Sequence, residues 1–310
     1  MGTKLPGMSH YPGGFSNGLT IGGIPIQNTN PGKVFWVDEN ASSPGRGTFV
    51  NPDTSIDACM SRCVAGRGDI IMVKPGHVEN ISAAADLVCD IAGVAIVGTG
   101  RGDDQAKIVF DTADTADIDV TASNVSFINM WFECNYANVD GAIDVAATGT
   151  YFTIQGCRFT ATSTILDFEE VINLAVDANY FSFIGNDVHL IEATDAEGLV
   201  HTQGESLAMR VIDNIIVMEA SESIFDLDAT AITGGPVFRN NVMVNLTVAA
   251  DYCVEIDGAT VGIFVDERYM CGGEAIPIIT TTVSFFSNCE GSELPNVSSL
   301  RFPKTATGWP

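Results

Sequence analysis

Short apolar runs recur along this chain, and each one ends abruptly on turn-forming residues. The first is Ile70-Ile71-Met72-Val73, cut off by Lys74-Pro75-Gly76-His77. Four residues are too few for a helix and suit a buried strand. Aligned on its third apolar residue, Met72, the pattern returns around Ile96, Phe127, Ile154, Val176, Val211, Phe238 and Val265. The intervals are 24, 31, 27, 22, 35, 27 and 27 residues. A small or polar turn residue follows each copy, often with another apolar residue just beyond, as at Phe132, Phe159, Phe181, Ile216, Met243 and Met270.

A second motif, apolar-acid-apolar, lies between the copies. It is centred on Asp119, Asp144, Asp167, Glu192, Asp226 and Glu255. Such period-two alternation marks a strand with one face buried and one wet. Each unit therefore supplies at least two short strands, and no unit after residue 66 holds an amphipathic helix. βαβ winding and leucine-rich horseshoes are excluded, which leaves a solenoid of strands. The pattern predicts an all-β parallel β-helix of about eight or more coils, with inward residues stacked about 4.8 Å apart. Asn179, Asn214 and Asn241 are expected at one equivalent corner, where Asn tolerates the left-handed conformation and stacked amides bond to each other.

An open solenoid end exposes apolar cross-section and unpaired strand edges, so it needs a cap. Residues 34–66 read as the N-terminal cap: a lead-in strand over Val34–Val37, then a short helix from Thr54 or Ser55 to Val64. Its face of Ile56, Cys59, Met60 and Cys63 would plug the end. Residues 1–33, with Gly and Pro throughout, read as an extended attachment arm. Residues 67–275 form the β-helix, and 276–310 its last strands and tail.

Composition permits a sizeable core, with 46% hydrophobic and 17% charged residues in 310. No apolar stretch approaches the roughly 20 residues that span a bilayer. The N-terminus shows no signal-peptide core, so a chain made and folded in a cytoplasm is expected. The net charge of −25 is uneven: residues 1–110 carry 8 basic and 10 acidic groups, residues 111–270 carry 4 and 26. Such a body repels nucleic acid and anionic membrane, so neither is an expected partner. Eight scattered cysteines with no CxxC pair argue against zinc and for buried free thiols.

Candidate chemistry is thin. Catalysis on such a fold would need clustered carboxylates with an Arg or His on one outer face. The candidates are Asp213, the run Asp266-Glu267-Arg268, and the pair His189 and His201. Acids are so frequent here that these arise from composition alone, and no catalytic, cofactor-binding or metal-ligating residue is assigned. The sequence GTGRGDD at 98–104 lacks the lysine-serine pair of a phosphate loop. Two Arg-Gly-Asp tripeptides, 67–69 and 101–103, fall at predicted turns, where Gly and Asp serve the backbone. Trp131 is the best outward aromatic for a glycan, with Trp36 and Trp309 near the chain ends. The six acids of the second motif are expected to form one solvent-facing column, crowded further by Asp117, Glu169, Asp228 and Asp257.

The stretches GKVFWVDENASSPGRGTF, TSIDACMSRC and GDIIMVKPGHVENI, preceded by YPGGFSNGLTIGGIPIQNTNPGK, resemble the N-terminal part of right-handed parallel β-helix proteins encoded by tailed bacteriophages. The resemblance runs from about Tyr11 to Ile81; the coils to Met270 match by pattern only. It implies a right-handed β-helix, a homotrimer, and a virion protein assembled in the host cytoplasm. That protein would be a capsid decoration or cement protein, without enzyme activity or cofactor. Its arm would bind the major capsid protein or another virion protein. A host-glycan-binding tail spike or adhesin and a polysaccharide lyase or hydrolase stand as alternatives.

Overall fold

The computed structural model describes residues 19–21, 24–26, 32–42 and 45–301. Within the last span, 164–165, 192–195, 205–206, 228–234, 248–251, 257–261, 272–277, 281–283 and 294–299 are excepted. The attachment arm expected over 1–33 thus lies outside the described residues. The exceptions are a hairpin pairing Leu19–Ile21 with Ile24–Ile26, and Gly32 and Lys33.

Among the described residues, three sheets of ten, ten and eight strands wrap one core, and neighbours within a sheet lie one coil apart. The first sheet runs from Val34–Val37 to Phe285–Ser287, the second from Val78–Ile81 to Leu300–Arg301, the third from Leu87–Cys89 to Ile278–Thr280. Among the described residues the strands of the coils pair in parallel, and Leu300–Arg301 closes the second sheet antiparallel. Each full coil supplies three strands, one more than the minimum the two motifs require.

The core is a set of in-register stacks. On the first sheet Ile71, Ile96, Phe127, Ile154, Phe183, Val211, Phe238 and Phe264 pair from coil to coil and are fully buried. Phe238, Phe264 and Phe286 stack nearly parallel, with centroids 5.1 and 4.8 Å apart. Five of the expected anchors belong to this stack and three do not. Ile71 takes the place of Met72, and Phe264 that of Val265, because an unbroken apolar run fits either parity of a strand. Val176 is a half-exposed corner residue, and its coil presents Phe183 instead. On the second sheet, Val188 and Tyr269 occupy the inward positions expected for Phe181 and Met270.

One corner repeats throughout. Asn129, Gly156, Gly185, Asp213, Asn240, Asp266 and Asn288 all have φ between 53° and 64°, the left-handed region. The residue after each turns inward, and three of these are Asn186, Asn214 and Asn241. Each amide donates to the next: Asn186 Nδ2 to Asn214 Oδ1 at 3.1 Å, then Asn214 Nδ2 to Asn241 Oδ1 at 2.8 Å. Asn241 Nδ2 donates to Glu267 Oε1 at 2.9 Å, so a carboxyl ends the ladder. Asn179 is not part of it; it sits at another corner and accepts from the Leu207 N–H.

The cap helix spans Ile56–Met60, shorter than its sequence signal, with the Ser55 side chain accepting from the Ala58 N–H. It buries Ile56, Cys59 and Met60. Its first N–H, on Ile56, donates to both oxygens of Glu79, at 3.1 and 3.0 Å. Glu79 points inward at the first coil, and His77 Nε2 donates to it at 2.7 Å. His77 Nδ1 accepts from the Glu39 N–H, which fixes the proton on Nε2. A carboxylate inside the solenoid is thereby satisfied on both sides.

All eight cysteines are buried and free. Burial pushes the thiols of Cys63, Cys134 and Cys157 up to about 12, so they behave as small hydrophobes. The first Arg-Gly-Asp is closed on itself: Arg67 grips the buried Asp69 with two hydrogen bonds, at 2.7 and 2.6 Å.

Candidate functional site

The outer face of the third sheet gathers the polar chemistry of the molecule. Reading along it, Asp119, Asp144, Asn173, His201, Asp226 and Glu255 pair in register, one per coil. Four of the six acids expected in this column are there. Asp167 is not: it is buried, and its Oδ1 accepts from the Asn138 N–H at 3.1 Å. Glu192 lies outside the described residues, as do Asp228, Asp257 and Trp309. The two vacated places belong to Asn173 and His201. Neither is an acid, although Ile172-Asn173-Leu174 carries the same apolar-polar-apolar alternation, and Val200-His201-Thr202 carries it with a buried threonine in the third place.

His201 is held from two sides. Its Nδ1 lies 2.8 Å from Glu170 Oε1 and its Nε2 4.0 Å from Asp226 Oδ2. Burial works against its protonation, but Glu170, with Asp226 and Glu222 behind it, lifts its pKa above the ordinary histidine value. Beside it Glu197 is pushed up to about 7, by burial first and then by the charges of Glu222, Glu170 and Glu169. Further along, burial and then Asp117 push Asp144 up to about 6, despite a hydrogen bond from Asn173 that works the other way.

Asp117, Asp119 and Asp144 each place a carboxylate oxygen within 4.8 Å of the others. Asp144 Oδ1 and Asn173 Oδ1 are buried with no hydrogen-bond donor among the described residues. Hard oxygen donors at this separation could hold a divalent cation. Gly141 makes the close packing possible: at φ +63, a Cβ there would lie 2.7 Å from Asp144 Oδ1.

The other sequence candidates are distributed elsewhere. Asp213 and Asp266 are left-handed corner residues, their Oδ1 atoms accepting from Asn240 and Asn288 amides at 2.8 and 2.7 Å. Glu267 ends the buried ladder, and Arg268 is exposed on the second sheet. His189 also lies on the second sheet, so the two histidines occupy different faces. It borders a cleft of about 370 Å³ shared with Trp131, Glu133, Arg158 and Thr160. Trp131 offers no open ring there. Lys107 Nζ lies 3.6 Å and Arg158 Cζ 4.3 Å from its centroid, and its indole N–H donates to Thr160 at 2.7 Å.

No protein-family model matches the chain, and no curated protein does. Among solved structures it is similar to pectate lyase Pel9A, with a TM-score of 0.51 and 14% identity over 84% of this chain and 76% of that one. It is also similar to a rhamnogalacturonan lyase, with a TM-score of 0.49 and 10% identity over 80% of this chain and 84% of that one. At such identities the likeness concerns the fold: this is a parallel β-helix of the architecture found in a pectate lyase.

Proposed function

We propose that this chain engages a polysaccharide along the outer face of the third sheet and cleaves it by acid–base chemistry. The observation that supports this reading is the company His201 keeps. It is clamped by Glu170 and Asp226, while Asp144 and Glu197 on the same face have pKa values of about 6 and about 7. Groups poised near neutrality can both give and take a proton, as glycosidic cleavage requires. The likeness to a pectate lyase supports the scaffold, since fold alone does not assign chemistry. A face this acidic would accept a neutral or cationic glycan directly, and an anionic one through a divalent cation at Asp117, Asp119 and Asp144.

The test is a panel of neutral, cationic and uronate polysaccharides, with and without calcium. New reducing ends report hydrolysis, and ultraviolet absorbance of unsaturated ends reports elimination. Cleavage of at least one polymer is expected. It should fall on the order of a hundredfold in His201→Ala with the β-rich circular dichroism intact. Failure to cleave or bind any member of the panel would remove the reading.

A second reading is favoured by the Tyr11–Ile81 resemblance and by the covered ring of Trp131. In it the chain is a homotrimeric virion decoration protein attached through residues 1–33, with an acidic outer coat. Imaging particles with and without the protein would decide it.

A further inference from the structure

We propose that the outer face of the first sheet is a self-association surface on which a second copy of this chain lies alongside the first. Met72, Val97, Ile128, Ile184, Ile212 and Val265 face outward in one register column, interrupted by Gln155 and Arg239. Not one outward position on these ten strands is acidic, in a chain with 39 acids. The third sheet, built by the same coils, presents four acids in a single column. Solubility would favour charge on an exposed face, so a strip kept free of acids along the whole rod has a use that charge would spoil.

One border of the strip carries a second feature. Tyr151 and Tyr180, at the corner that enters this sheet, are 49% and 39% exposed and stack at 4.4 Å, 3° from parallel. Both hold left-handed φ, +60° and +65°, where neighbouring coils use Gly93, Asn124 and Ala208. Bulky side chains are poorly suited to that region, and such strain gathers at working surfaces. Tyrosine is also enriched where proteins meet.

The occupant follows from charge and extent. A basic partner would be drawn to the third sheet instead. Two copies that each carry −25 can approach only where the acids are missing. The strip offers ten strands at about 4.8 Å by three residues at about 3.3 Å, roughly 43 by 10 Å. The tyrosine border and the opposite corner widen it towards the roughly 800 Å² per partner of a stable pair. Arg210 and Arg239 stand exposed on the strip, and Asp213 and Asp266 stand exposed at its other corner. Side-by-side copies can therefore exchange charge pairs at the rim.

The experiment is sedimentation equilibrium of the full chain at micromolar concentration. Three variants accompany it: Ile128→Glu with Ile184→Glu on the strip, Arg239→Glu, and Ile215→Glu on the second sheet as control. Dimers or higher oligomers are expected for the wild type and the control. The strip variant should weaken association by at least roughly a hundredfold, since it buries like charges. Arg239→Glu should weaken it roughly tenfold, and it serves as the reading if the double variant fails to fold. A wild-type monomer overturns the proposal. So does association that survives the strip variants or is lost in the control. It stands or falls independently of the polysaccharide reading.

Discussion

A single carboxyl group, that of Glu267, closes the ladder begun by three asparagines. Burial pushes it up to about 8 from an ordinary 4.5, although the Asn241 donors pull the other way. Between those values the folded protein keeps the proton while the unfolded chain loses it. Stability therefore falls as pH rises through that window and levels off above it. Glu267→Gln keeps an acceptor for Asn241 and removes the titration. Its melting temperature should match the wild type near pH 5 and exceed it at pH 8, as thermal unfolding at the two pH values will show. In the sequence Glu267 reads as one acid of an Asp-Glu-Arg run. That it faces inward is set by the left-handed turn at Asp266, which adjacent residues do not announce.

At the scale of the element, the ladder joins corners that no strand pairing connects. Asn214 accepts from the Asn186 N–H and Nδ2 at 2.8 and 3.1 Å and donates to the Phe183 carbonyl at 2.9 Å. Its truncation leaves the Asn186 N–H and one Nδ2 hydrogen unmatched in a dry interior, and Asn241 Oδ1 keeps the Asn214 N–H but loses the Nδ2 donor. Asn214→Ala should cost about 3 kcal/mol, read as a lower urea midpoint with unchanged slope. Two rungs, Asn214 and Asn241, were legible because their spacing equals that of the apolar runs around Val211 and Phe238. The third was misplaced to Asn179, since the irregular unit between Ile154 and Val211 hides where its strand starts. The same irregularity misplaced Val176. The cap helix was legible because its apolar spacing and N-cap serine are local signals.

For the whole molecule, the distribution of charge outweighs its sum. Asp144 sits among Asp117, Asp119 and Asp140, and its carboxyl is pushed up to about 6 from 3.8 by burial and those neighbours. Folding thus loses stability as pH rises through that window. Asp144→Asn should melt higher than the wild type at pH 7 in low salt. The gain should shrink in high salt as repulsion from the more distant acids is screened. Asp167→Ala is a different experiment, because Asp167 is a buried acceptor for the Asn138 N–H and removal of that acceptor should destabilise at either salt. If Asp144→Asn lowers the melting temperature instead, its carboxylate is a ligand or a paired group, and the cation site gains support.

What the sequence determined by itself is the repeat, and with it the fold. Apolar runs at near-regular intervals can bury themselves only by stacking, and no helix intervenes to build another architecture. Burial of the cysteines, the plugged N-terminal end and the acidic character of one face follow from the same pattern. The tertiary structure decided which residues share that face. A strand's two parities are equivalent locally, so only the coils above and below assign Ile71 inward and Met72 outward. Coil lengths also vary, with the excess absorbed at corners, so linear spacing does not fix register. His201 joins Asp144 and Asp226 in one column through that register alone, and the acid-free strip of the first sheet emerges from it too.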